Sequence, residues 1–140
     1  MLSPSHRAEA DFRSSVLRAV EALAVRRSVD GILSANSSAA VAVLGDFNDR
    51  PWSLTVRMLM AGDDETPGAL IPVMDRLPEA ERATIVHRGR RQQIDHVLVS
   101  HALAPRVKAI RVHNHDLLDH DVLRVPTVDS DHALVEVELG

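Results

Sequence analysis

The run Val41-Ala42-Val43-Leu44, followed at once by Gly45-Asp46-Phe47-Asn48, constrains this chain more than any other segment. Four short, uncharged, partly β-branched residues read as a buried strand. Gly45 breaks the run and Pro51 closes the turn after it. A carboxylate and a carboxamide two positions apart therefore stand at a strand end, where enzymes built from sheets and helices tend to place their sites. The competing reading of Asp46 and Asn48 is an Asx turn that caps the next helix.

The rest of the chain must cover such a strand. With 140 residues and a hydrophobic fraction of 45%, it is read as one domain of ordinary size. Phe12, Phe47 and Trp52 are the only aromatics, so the core must come from Val, Leu, Ile, Ala and Met. The formal charge of −4 argues against gripping nucleic acid through the overall field, but not against an acidic, metal-holding site. The lack of cysteine excludes disulfides and thiolate zinc sites. No apolar stretch approaches the ~20 residues of a membrane span. No apolar run follows the first positive charge, so no signal peptide is expected, and the compartment stays open.

Residues 7–29 place Phe12, Val16, Val20, Leu23 and Ala24 at helical spacing, which predicts an amphipathic helix docked by that stripe and ended by Asp30-Gly31. A strand is expected over 41–45. Ser53 is expected to cap a short helix with Leu54, Val56, Leu59 and Met60 on its apolar side. Residues 61–68 read as an acidic loop and 73–77 as a helical turn. Residues 84–87 and 94–99 read as two strands of a hairpin turning through Arg88-Gly89-Arg90-Arg91. Strands are expected over 107–112 and 133–139, separated by a His- and Asp-rich loop.

Three polar segments then stand at strand ends: Asp46-Phe47-Asn48, Ile94-Asp95-His96, and Ser130-Asp131-His132. If their strands are neighbours, carboxylates, an amide and an imidazole converge. Asp46, Asn48 and Asp131 offer the oxygen ligands that a hard divalent cation takes. His132 paired with Asp95 makes a dyad in which the carboxylate fixes the imidazole's tautomer. That inventory suits phosphodiester hydrolysis. The bland alternatives are a strand-end backbone bond for Asp95 and a surface turn for Asp131 and His132.

The segments GDFND (45–49), QQIDHVLVS (92–100) and SDHALV (130–135) resemble the C-terminal half of the endonuclease/exonuclease/phosphatase superfamily, with its DNase I-like nucleases. Residues 75–100 are similar to the bacterial nuclease-like branch in particular. The resemblance implies an α+β fold, the C-terminal half of a four-layer α/β/β/α sandwich, with a mostly antiparallel sheet and helices on one face. It implies that Asp46 orients or deprotonates water, that Asn48 and His132 hold the phosphate, that Asp95 orients His132, and that Asp131 binds metal with Asp46 and Asn48. The implied cofactor is Mg2+ or Mn2+, with Ca2+ a further option. The implied substrate is nucleic acid or another phosphate ester.

This chain departs from the family in length. The family's domain is roughly twice as long, and its first half carries a metal-binding glutamate. Glu9 and Glu21 instead sit on a helix face, and His6 is not in a strand. Ala83, Ile85 and Ala133-Leu134 depart from the usual residues as well. A half-domain would expose the inner face of its sheet, so a homodimer or the missing N-terminal half is expected to cover it. The two functional readings are a metal-dependent phosphodiester hydrolase, or the C-terminal portion of one, and a catalytically inactive half-domain that dimerises or binds a partner. Arg90 and Arg91, with Arg88, are a candidate phosphate clamp or else a solvated hairpin tip. His96 is read as structural. Trp52 is read as a core residue, with base stacking as the alternative. The cluster His113, His115, Asp116, Asp119, His120 and Asp121 fits no metal template and is read as a variable polar loop.

Overall fold

The computed structural model of the chain describes residues 3–119 and 130–140. Helix α1 (Pro4–Ala35) is followed by strand β1 (Ala42–Asp46), helix α2 (Leu54–Met60) and a short strand β2 (Leu70–Pro72). A hairpin of β3 (Ile85–His87) and β4 (Arg90–Gln92) comes next, then β5 (Asp95–Ser100), β6 (Val107–His113) and β7 (Leu134–Leu139). The content is mixed helix and antiparallel sheet, so the expected α+β class holds. Three small sheets carry it: β1-β5-β2, β3-β4 and β6-β7.

β5 organises the molecule. It pairs antiparallel with β1 on one side and β2 on the other. Its side chains alternate between two apolar clusters. Leu98 faces Ala22, Val29 and Leu59 of the two helices. Val97 and Val99 face the other way, onto Val73, Leu103 and Val107, with Ile110, Val135 and Val137 of the β6-β7 ribbon packed alongside. Five of its six residues are buried, as expected for a strand covered on both faces. Arg76 ties the two regions by donating to the carbonyls of Val107 (3.0 Å) and Ala104 (2.9 Å).

The hairpin differs from the sequence expectation. β3 pairs with β4, and β5 leaves for another sheet. Arg88 and Gly89 both adopt positive φ, at 50° and 71°, which makes a two-residue turn matched to strand twist. The ladder therefore closes at Arg90 and ends at Gln92. Strand β2 has no counterpart in the sequence reading; Pro72 stands on the edge of its sheet, where a missing N–H costs no ladder bond.

Helix α1 also differs in length and in the face it docks. It continues through Gly31 to Ala35, because Asp30 bonds back to Arg26 one turn earlier and does not stop the helix. The buried positions are Ala22, Arg26 and Val29, not the Phe12-Val16-Val20-Leu23 stripe. That stripe lies roughly a quarter-turn further round the helix, and Phe12 is 69% exposed. Arg26 is only 6% exposed and reaches the carbonyls of Leu59 (3.1 Å) and Gly68 (2.8 Å). An arginine thus shares the docking with Ala22 and Val29, on a face other than the one the pattern assigned. Ser53 caps α2 as expected, accepting from the N–H of Val56 (3.2 Å). Trp52, expected in the core, is 66% exposed.

Candidate active site

Asp46, the last residue of β1, sits opposite Asp95, the first residue of β5. Like charges across an antiparallel pair repel, so this register needs a compensating positive charge. His132 supplies one: its Nδ1 lies 2.8 Å from Asp95 Oδ2. A carboxylate can only accept here, so Nδ1 carries the hydrogen and the ring presents Nε2 outward for chemistry. Ligand atoms of Asp46, Asp95 and His132 lie within 4.8 Å of one another. Burial works against the charged imidazole, but the Asp95 hydrogen bond and the charges of Asp95, Asp46 and Asp131 outweigh it, raising the His132 pKa above its ordinary value.

Thr84 brings the segments into register. It is fully buried. Its hydroxyl oxygen accepts the N–H of Ile94 (3.1 Å) and of Asp95 (3.2 Å). Its carbonyl accepts the N–H of Ala133 (2.7 Å), and its own N–H donates to Gln92 (2.8 Å). One residue before the hairpin therefore fixes the start of β5 and the residue after His132.

The Asp46–Asn48 turn is held from the opposite side. The N–H of Asn48 donates to Asp46 Oδ1 at 2.8 Å, an Asx turn, with Asn48 at φ 52°. Asparagine tolerates that left-handed conformation better than most side chains. The His96 ring is 2% exposed and stacks on Phe47 at 5.1 Å. Its Nε2 donates to the Asp49 carbonyl (2.7 Å), and its Nδ1 accepts from the Gln93 amide (3.3 Å). Both contacts suit the neutral ring, and burial pushes the His96 pKa down. Asp49 Oδ2 accepts from Arg18 (2.9 Å) and Thr55 (2.7 Å), anchoring the turn to both helices.

The remaining sequence candidates fall around this centre. Asn48 is exposed in the turn, and Asp131 is half-buried beside His132 but is not one of the three converging groups. Arg90 and Arg91 are exposed on β4, and Arg91 donates to the Asn114 carbonyl (3.0 Å). Of the His- and Asp-rich cluster, His113 ends β6 and bonds Glu136 (3.0 Å), while Asp119 accepts the N–H groups of Arg88 and Gly89 and so supports the hairpin turn. His120 and Asp121 lie outside the described residues. Thr84 and Asp49 were not singled out from sequence. Asp49 had a signal, as the second acid of GDFND; Thr84 had none, because its partners come from two distant segments, 92–95 and Ala133.

The chain belongs to the endonuclease/exonuclease/phosphatase family, whose model matches residues 4–127. The match contains Asp46, Asn48 and Asp95 and stops short of Asp131 and His132. No curated protein and no solved structure matches the chain. Family membership makes it a protein of the nuclease and phosphatase hydrolase type. Among the described residues, no helix is long and apolar enough to cross a membrane.

Proposed function

We propose that this chain hydrolyses phosphate esters at the Asp46-Asp95-His132 centre with a divalent cation, Mg2+ or Mn2+, as one domain of DNase I-like type. The observation that carries the reading is the convergence of the three groups within 4.8 Å around the 2.8 Å His132–Asp95 bond. The oxygen donors at this centre, the Asp46 carboxylate first, fit a hard divalent cation. Asp46, with Asn48 and Asp131, would hold it, since Asp95 Oδ2 and His132 Nδ1 are engaged with each other. When bound, the cation supplies charge neutralisation at the scissile phosphate.

The chain's own residues do the rest. Asp95 holds the His132 ring in one tautomer and favours its charged form, so Nε2–H can donate to a phosphate oxygen and stabilise developing charge. Asp46 is exposed, and the oxygen not bound to the Asn48 N–H is free to orient the attacking water. Asn48, exposed two residues on in the same turn, would hold the phosphate.

The layered, DNase I-like arrangement is supported by β5, which buries one face on helices and the other on the β6-β7 ribbon. Completion by a partner, either an N-terminal half or a second copy, is supported by β1. It is an edge strand among the described residues, and Leu44, on the face opposite the helix-packed Val41 and Val43, is 67% exposed. The same exposure is what favours the alternative of an inactive, partner-binding half-domain.

The test is hydrolysis of a generic phosphodiester and of plasmid DNA with Mg2+ or Mn2+. The purified chain is compared with chelator-treated protein and with His132→Ala. Loss of activity in both controls is expected. Equal activity in His132→Ala, or none in the wild-type chain at any concentration, sinks the hydrolase reading.

A further inference from the structure

A second feature lies beside the site. An open cleft of about 760 Å3 runs between the Arg50-Pro51-Trp52 segment and strand β4. Arg50, Arg82, Arg90 and Arg91 line it against a single acid, Glu79. This is a local excess of positive charge on a chain whose formal net charge is −4. Arg82 is committed to Asp75 and the Leu77 carbonyl, and Arg91 spends one N–H on Asn114. Arg50 and Arg90 have no ion-pair partner among the described residues. The Trp52 indole is exposed, with the Arg50 guanidinium 5.6 Å from its ring centroid. No aliphatic side chain larger than proline lines the cleft.

The walls are chain continuations of the candidate site. Arg50 directly follows Asp49 of the Asp46 turn. β4 leads through Gln93, which bonds His96, into Asp95. We infer that this cleft binds a single strand of nucleic acid leading from the reacting phosphate, with Trp52 stacking on a base and Arg50, Arg90 and Arg91 on the flanking phosphates. The inference rests on the hydrolase reading only for where the reacting phosphate sits. The chemistry selects the ligand. A planar indole matches a nucleobase face. Arginine forks match phosphate oxygens, and the chain uses arginine almost throughout, Lys108 being its only lysine.

Trp52 is the only tryptophan, so its fluorescence reports the cleft directly. Wild-type chain is titrated with an 8-nucleotide oligodeoxythymidylate in EDTA at low salt, where hydrolysis plays no part. Saturable quenching is expected, weakening with salt by a log–log slope of about −0.7 per phosphate contacted. Arg90→Ala with Arg91→Ala should shrink that slope. By anisotropy of a labelled oligonucleotide, Trp52→Ala should lose about 5- to 150-fold in affinity, with Trp52→Phe recovering most of it. Absence of quenching overturns the inference, as does equal quenching by inorganic phosphate or by phosphatidylserine vesicles. Binding without hydrolysis in Mg2+ would sink the hydrolase reading and leave this one standing. Hydrolysis of an oligonucleotide with KM unchanged in Trp52→Ala would do the reverse.

Discussion

Replacing Thr84 with valine tests whether one buried hydroxyl holds the site together. Valine matches threonine in shape, so packing is preserved and only the oxygen is lost. The N–H groups of Ile94 and Asp95, at 3.1 and 3.2 Å, then face a methyl group. A buried donor left without an acceptor costs about 1–3 kcal/mol. The two donors share one oxygen in a three-centre arrangement, so the combined loss is placed at roughly 2–4 kcal/mol. That is a large part of the ~5–15 kcal/mol available to a domain. The effect should also reach the chemistry. If Asp95 shifts, His132 loses the hydrogen bond that raises its pKa, and its titration moves back toward the ordinary value near 6.5. Urea denaturation measures the first effect and NMR titration of the His132 ring the second. Thr84→Ser, which keeps the oxygen, should restore the titration. A valine variant within ~0.5 kcal/mol of wild type and with unchanged His132 titration would refute the reasoning.

Three further outcomes are expected. Asp95→Asn keeps an acceptor for His132 but removes the charge, so the His132 pKa should fall, and phosphodiester hydrolysis should drop by about 10²- to 10⁴-fold. His96 and His132 pull stability in opposite directions with pH. The lowered His96 pKa gives stability that is present above about 6.5 and lost as pH falls below it, while the raised His132 pKa gives stability present below 6.5 and lost as pH rises through its folded value. The urea midpoint should therefore peak near pH 6.5, with the acid-side decline flattened in His96→Gln. Arg26→Met orphans the Leu59 and Gly68 carbonyls and should cost roughly 2–4 kcal/mol by the same urea assay.

Much of this was legible in the sequence, for a local reason. β1, β6, β7 and α2 follow from short-range alternation and capping, and each lies within a residue or two of its expected position. The convergence of Asp46, Asp95 and His132 was legible because each stands at a strand end beside distinctive neighbours. What failed depends on tertiary partners. The two-residue turn at Arg88-Gly89 ends its ladder early because β5 is claimed by β1, a choice that periodicity does not contain. The docked face of α1 was misread because a buried arginine, satisfied by two carbonyls and by Asp30, outranks an apolar stripe that the fold leaves largely exposed. Trp52 was read as a core residue at a helix start, but the turn that follows Asp49 carries it outward.

The central place of β5 has a consequence for synthesis. β1 finds its partner only when Ser100 has been made, 54 residues after Asp46. At ~5–20 residues per second, that interval is about 3–11 s on the ribosome. During it, an apolar strand with both edges open waits beside a long helix whose Phe12 stripe is also bare. Over those seconds the nascent chain offers other molecules the same pairing surface that β5 later takes. The yield of folded protein should therefore depend on how quickly β5 follows β1.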